Sequence, residues 1–256
     1  MPSAGSARIK PVRIPRLPLL VICYHSVSDG WRHVLSVTPD AFREQVTSLA
    51  RSGVPRVGAK ALADGERRGL HVTFDDAYKD VLDVLPLLHE LGLPTTIFVS
   101  TAFADQGRPL AVPELAADAE AHPDLLATMN WDELREVAGQ GVEIGAHTAS
   151  HPHLRQLADD ELDRELVDSK QRIEDTLRRP ARLLAYPYGE HDARVHEAVR
   201  RAGYAAAFAQ WPGSSMRNPF ALPRVSFYRG ESLRRATLKT TRVGPAIASA
   251  RDLVHR

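Results

Sequence analysis

The sequence predicts an α/β fold, a largely parallel sheet with helices on its outside. Three observations lead there. Short apolar runs alternate with helical periodicity some six or seven times along the chain. Several of those runs are rich in β-branched and aromatic residues, as in Thr95-Thr96-Ile97-Phe98-Val99. The length of 256 residues suits one α/β domain. Alternation alone leaves a doubly wound sheet and a closed barrel both open.

Leu19 to Tyr24 is the first buried strand, followed at once by His25. Thr38 is placed to cap a helix with Pro39 at its first position. Phe42, Val46 and Leu49 then mark its apolar face up to Gly53. A short strand is expected near Val54 to Val57. His71 to Phe74 is the next strand, and it runs into two adjacent carboxylates, Asp75 and Asp76. A helix over Tyr78 to Leu91 follows, closed by Gly92, and then the strand Thr95 to Val99. Residues 104–130 are broken by Pro109, Pro113 and Pro123; they read as an insertion or long loop with a short helix. Trp131 to Gly139 is helical, Val142 to Ala146 a strand, and His147 stands at its end. Asp159 to Arg179 is the longest helix, with Leu162, Leu166, Ile173 and Leu177 on one face. Arg182 to Tyr186, Tyr204 to Phe208 and Leu222 to Phe227 complete the strands, with a helix over Ala193 to Ala202.

Composition narrows the function classes. Hydrophobic residues at 43% and charged residues at 25% are ordinary for a globular chain, and a net charge of +1 gives no ground for a nucleic-acid partner. The single cysteine, Cys23, allows no intrachain disulfide and sits in an apolar run as a small core residue. No run of 18 apolar residues and no signal-peptide cleavage pattern is found, so a cytoplasmic protein is expected. Trp31, Trp131 and Trp211 could stack on sugars but read first as packing residues.

Two buried acids at a strand end repel each other unless a cation is present. The plainer reading of Asp75-Asp76 is a helix cap beside a solvated acid. His147 and His151, four apart after another strand, change the balance. Two histidines and one aspartate from strand ends make a three-ligand set with open positions, the type used by hydrolytic metals. The third signal is Tyr186-Pro187-Tyr188-Gly189, a rigid turn after a strand. Its Tyr188 N–H could face a developing oxyanion.

With these residues in hand, the sequence resembles the polysaccharide deacetylases with a NodB-type domain, carbohydrate esterase family 4. Thr73-Phe74-Asp75-Asp76 resembles the first family motif. His147-Thr148-Ala149-Ser150-His151 resembles the second, His-[Ser/Thr]-x-x-His, and Tyr186-Pro187-Tyr188-Gly189 part of the third. The resemblance implies a distorted (β/α)7 barrel and metal-dependent removal of an acetyl group from an N-acetylated sugar in a glycan, glycolipid or sugar precursor. It implies Asp75 as base and Asp76, His147 and His151 as ligands of a divalent ion: zinc first, with nickel, cobalt and iron compatible.

Two departures stand out. Ala185 occupies the place of the Arg that usually orients the base, and the late Leu-x-His motif that supplies the acid has no evident counterpart. Tyr24-His25-Ser26 instead resembles the permuted subgroup related to poly-N-acetylglucosamine deacetylases, in which an N-terminal His is the acid; His25 takes that role here. The alternatives are an amidohydrolase on another small amide, such as an N-formyl sugar, and a non-catalytic carbohydrate-binding protein of the same fold. The chain then divides into a disordered basic tail over 1–17, a deacetylase domain over 18–230, and a basic C-terminal helix or tail over 231–256. The cations after Pro223, from Arg224 to Arg256, read as a solvated face, or else as a surface for an anionic membrane or a lipid-linked sugar.

Overall fold

The structure, a computed structural model, describes residues 19–210, 213–232 and 235. The N-terminal tail, Trp211 and most of the basic run over 231–256 lie outside the described residues. The elements in chain order are β1 (Leu19–Tyr24), β2 (Ser26–Val27), β3 (Ser36–Val37), α1 (Pro39–Ala50), α2 (Ala59–Ala63), β4 (Gly69–Phe74), α3 (Leu85–Glu90), β5 (Thr95–Val99), α4 (Thr101–Ala104), α5 (Ala116–Ala121), α6 (Trp131–Gly139), β6 (Glu143–Ala146), α7 (Asp159–Leu177), β7 (Leu183–Ala185), α8 (Ala193–Arg201), β8 (Ala206–Ala209), β9 (Leu222–Pro223) and β10 (Val225–Ser226).

One sheet runs β10-β1-β4-β5-β6-β7-β8-β9, every pairing parallel. Its two edge strands are halves of one segment, split at Arg224. Leu222 and Pro223 pair with Phe208 and Ala209, while Val225 and Ser226 pair with Ile22 and Cys23. That segment brings the sheet round on itself into a nearly closed barrel of seven chain segments, the (β/α)7 arrangement. The expected last strand is therefore present but divided at Arg224, whose N–H still donates to the Ala209 carbonyl while the segment changes partner from β8 to β1.

Strand alternation sorts the core. Leu20, Ile22, Val72, Phe74, Ile97 and Val99 pack outward against helix residues such as Phe42 and Val46 of α1 and Leu162 and Leu166 of α7. The other parity, with Val21, Phe98, Leu183 and Phe208, fills the barrel, and Val57 and Leu62 belong to the same cluster. Each such side chain contributes about 1.5–3 kcal/mol when fully buried. Gly145 makes room inside: a Cβ there would stand 2.5 Å from Cε1 of Phe98.

Some expectations need correction. The helix over Tyr78 to Leu91 is a 3-10 stretch, Lys79–Val84, followed by the short α3. Pro86 lacks the N–H that a continuous helix needs. Val54 to Val57 makes only an isolated bridge, Arg56 to Leu70, for Pro55 cannot donate to a ladder. Two small elements, α2 and the β2–β3 ribbon, carry too few residues to show a period. The insertion, just after α4, folds into a 3-10 turn over Pro113–Leu115 and α5. It has its own small core of Trp31, Tyr78, Leu110, Val112, Leu115 and Leu126. No helix among the described residues is long and apolar enough to cross a membrane.

Candidate active site

Parallel strands aim their carboxyl ends at one mouth of the barrel, where loops collect. β1 delivers His25, β4 delivers Asp75 and Asp76, β6 delivers His147 and the loop to His151, and β7 delivers the Tyr186–Gly189 turn. All six residues singled out in the sequence, His25, Asp75, Asp76, His147, His151 and Tyr188, line one cavity of about 290 Å³.

Asp76, His147 and His151 converge. Asp76 Oδ1 lies 3.5 Å from His147 Nε2 and 3.4 Å from His151 Nε2. It is buried and makes no hydrogen bond. His147 Nδ1 donates to the Ala185 carbonyl at 2.8 Å, which leaves Nε2 with its lone pair toward Asp76. The donors also fit a metal by distance, since atoms about 2.0–2.2 Å from a tetrahedral ion stand roughly 3.3–3.5 Å apart. Without a cation, burial and the neighbouring Asp75 charge push the Asp76 carboxyl well up, while burial pushes both imidazoles down. Each group is driven toward its neutral form, a cost that a bound cation reverses. The backbone is held in place too. Asp76 and His151 have φ of 67° and 63°, left-handed values that non-glycine residues adopt at a cost of order 1–3 kcal/mol each. These three residues could therefore hold a metal ion.

Asp75 is set apart from this group. Arg224 Nη1 donates to its Oδ1 at 2.6 Å and Nη2 to its Oδ2 at 2.7 Å, a two-pronged pair buried on both sides. Burial raises the Asp75 carboxyl, but the Arg224 guanidinium, with His147 and His25 adding, outweighs it and holds the group well below the usual carboxylate range. Arg224 also lies 5.6 Å from the centre of the Phe98 ring and donates to Thr73 Oγ1. Arg224 is therefore not part of a solvated basic face. Its neighbour Arg229 is not free either, for its guanidinium donates to the carbonyls of Ser28, Trp31 and Ser36. Leu222-Pro223-Arg224 keeps the spacing of the absent Leu-x-His motif with Arg in the place of His. That spacing was the available signal.

His25 Nε2 stands 3.9 Å from Asp75 Oδ2. Burial pushes its pKa down to about 4, against the pull of Asp75. Cys23 is buried beside it, and its Sγ is 3.5 Å from Asp75 Oδ2. Tyr188 sits at φ 56° in the turn after β7. Its hydroxyl donates to Glu114 of the insertion at 2.8 Å, and its ring stacks on His153 with centroids 4.0 Å apart. Trp31 and Trp131 are packing residues, each with Nε1 bonded to an aspartate, Asp118 and Asp105.

Comparison with known proteins adds three likenesses. The structure is similar to the Streptococcus pyogenes deacetylase PplD, with a TM-score of 0.70 at 21% identity over 89% of this chain and 99% of that one. It is also similar to IcaB from Ammonifex degensii, with a TM-score of 0.68 at 21% identity over 91% and 97%. By sequence it is 26% identical over 89% of its length, and 77% of the relative's, to YxkH of Bacillus subtilis (strain 168), which carries a provisional polysaccharide deacetylase name. The polysaccharide deacetylase family profile matches residues 63–207, from α2 through the His147 and Tyr186 segments to β8. By that match, which spans more than half of its sequence, the chain belongs to the polysaccharide deacetylase family, hydrolases of carbon–nitrogen bonds other than peptide bonds.

Proposed function

We propose that the protein is a metal-dependent N-deacetylase acting on an N-acetylated amino sugar, with residues 18–230 as its catalytic unit. One observation carries the reading. A buried, unpartnered carboxylate oxygen of Asp76 sits between two imidazole nitrogens, next to a second carboxylate fixed by an arginine. The acetate bound in the related PplD structure supports the acyl group.

In this reading Asp76, His147 and His151 hold a divalent ion, zinc first among the candidates. When bound, it supplies Lewis acidity to the amide carbonyl and to the attacking water. Asp75 takes the proton of that water; the Arg224 fork keeps its carboxylate ionised and aimed. The Tyr188 N–H donates to the developing oxyanion. His25, 3.9 Å from Asp75, carries a proton to the departing amine. His25 rests neutral because of burial, so the proton it delivers is the one Asp75 has removed.

The test is incubation of zinc-loaded protein with chito-oligomers, N-acetylated nucleotide sugars and alkyl glycosides of N-acetylglucosamine, with acetate and deacetylated product read by mass spectrometry. Loss of one acetyl group that disappears on chelation is expected. Intact substrates throughout would reject the reading.

A further inference from the structure

One side of the cavity above the ligand cluster is apolar. Val34 and Leu35 come from the β2–β3 ribbon, and Leu110, Val112 and Leu115 from the insertion, all lining the same cavity as Asp75 and His147. The two segments are joined by the small core around Trp31 and by the Trp31 Nε1 bond to Asp118 at 2.8 Å. Arg229 ties the ribbon down from the other side, through side-chain bonds to the carbonyls of Ser28, Asp29, Trp31 and Ser36 and a backbone bond to the Val34 carbonyl at 2.9 Å. Val34 is nevertheless 48% exposed, the large hydrophobic side chain left open among the described residues. A single exposed aliphatic residue means little, but Val34 is pinned beside the partly buried Leu35 over a wall of core residues, Leu110, Val112 and Leu115, and so gives the cavity an apolar lip. Among the described residues, none that lines the cavity is Lys or Arg, while Glu114 is a rim carboxylate.

The ribbon also has a defined place relative to the chemistry. The Ser26 N–H, one residue after His25, donates to the Leu35 carbonyl at 3.3 Å, and His33 lines the same cavity as His25. Val34 and Leu35 thus stand on the His25 side, where the amine leaves. We infer that the amine half of the substrate is an amino sugar with an uncharged apolar substituent next to the acetamide, such as an alkyl or aryl aglycone, and that Val34 and Leu35 cover that substituent. This rests on the proposed function, which sets the leaving amine beside His25. Among the described residues no Lys or Arg lines the cavity to meet a phosphate on the aglycone side, which favours an uncharged substituent over a nucleotide sugar. Glu114 and Gln210 remain for hydroxyl groups.

The experiment uses methyl, butyl and hexyl glycosides of N-acetylglucosamine, uridine diphosphate N-acetylglucosamine, and the matching alkyl glucosaminides, which bind as products without turnover. Each added methylene is expected to raise kcat/KM, and the calorimetric affinity of the glucosaminides, by about twofold or more, with about fourfold as the limit of full burial. The nucleotide sugar should be poorer than the methyl glycoside. Val34→Ser, a change at an exposed position, should flatten the dependence on chain length. Affinity independent of chain length, or a preference for the nucleotide sugar, overturns the inference even where acetate is released. Affinity that rises with chain length while no acetate appears upholds the apolar lip and instead rejects the deacetylase reading.

Discussion

Arg224 and Asp75 form a two-pronged buried ion pair, at 2.6 and 2.7 Å, that joins the interrupted last strand to the end of β4. The segment that closes the barrel thus also holds the proposed base, through the Arg224 side chain at the point where it divides. Arg224→Lys keeps a charge but cannot form the fork. With the fork lost, the Asp75 pKa rises. The acid limb of the kcat/KM profile should move to higher pH, and kcat should drop by roughly 10–100-fold, a 1 Å-scale misplacement of the base. Zinc content should stay at the level of the parent protein. A variant with an unshifted pH profile and full activity would leave Arg224 a purely structural closure.

Most of this site was legible because its signals are local. His25, Asp75, Asp76 and His147 each directly follow an apolar run, and Tyr188 follows one through a Pro-containing turn. Arg224 was not legible from composition, since it opens a run of cations and its partner lies 149 residues away. Only the closing of the barrel brings the two together. The break of the Tyr78 to Leu91 helix was written in Pro86 but masked by a strong apolar period. The insertion is Ala-rich and irregular, so neither its small core nor its place on the cavity lip showed in a pattern.

The metal cluster predicts linked binding and stability. A ligand that binds only the folded state at one hundred times its dissociation constant adds about 2.7 kcal/mol, or roughly 5–10 °C for a domain of this size. Zinc should raise Tm by that order in the parent protein. Asp76→Asn should bring the response close to zero, because the oxygen between His147 and His151 is then a weaker, uncharged donor. An equal zinc shift in Asp76→Asn would place the ion elsewhere.

His71 should give the fold a pH-dependent stability apart from catalysis. It is fully buried, with Nδ1 donating to the Val57 carbonyl and Nε2 accepting from Thr96 Oγ1, both at 2.8 Å, so the neutral ring is fully paired. Burial pushes its pKa down from 6.5 to about 4, against the Val57 bond. Between those values the unfolded state binds more protons than the folded one. Stability is therefore complete above about pH 6.5 and falls as pH drops toward 4, by about 3 kcal/mol for this group. His71→Gln should flatten that part of a urea-midpoint against pH curve. The slope that remains should come from other buried histidines such as His25. A curve as steep as the parent's would remove His71 from the account.

Gly145 couples packing to the site two residues ahead of His147. A Cβ there would meet the Phe98 ring at 2.5 and 2.6 Å and the Leu183 carbonyl at 3.0 Å. Gly145→Ala should cost about 1–3 kcal/mol by overpacking and lower the urea midpoint accordingly. Undiminished stability would mean that the Phe98 ring can turn aside inside the barrel.

The division of labour between His25 and Asp75 is testable by choice of leaving group. In the proposed mechanism Asp75 acts on the water and so is needed for any acyl substrate, whereas His25 is needed only where the departing group must gain a proton. An amine must; 4-nitrophenolate leaves without one. Asp75→Asn should lose about 10²–10⁴-fold on both an N-acetylated sugar and 4-nitrophenyl acetate. His25→Ala should lose a similar factor on the amide but stay within about tenfold of the parent on the ester, because only its proton-donating role is removed. Equal losses on both substrates for His25→Ala would show that His25 serves the water-activating step with Asp75 and is not the acid.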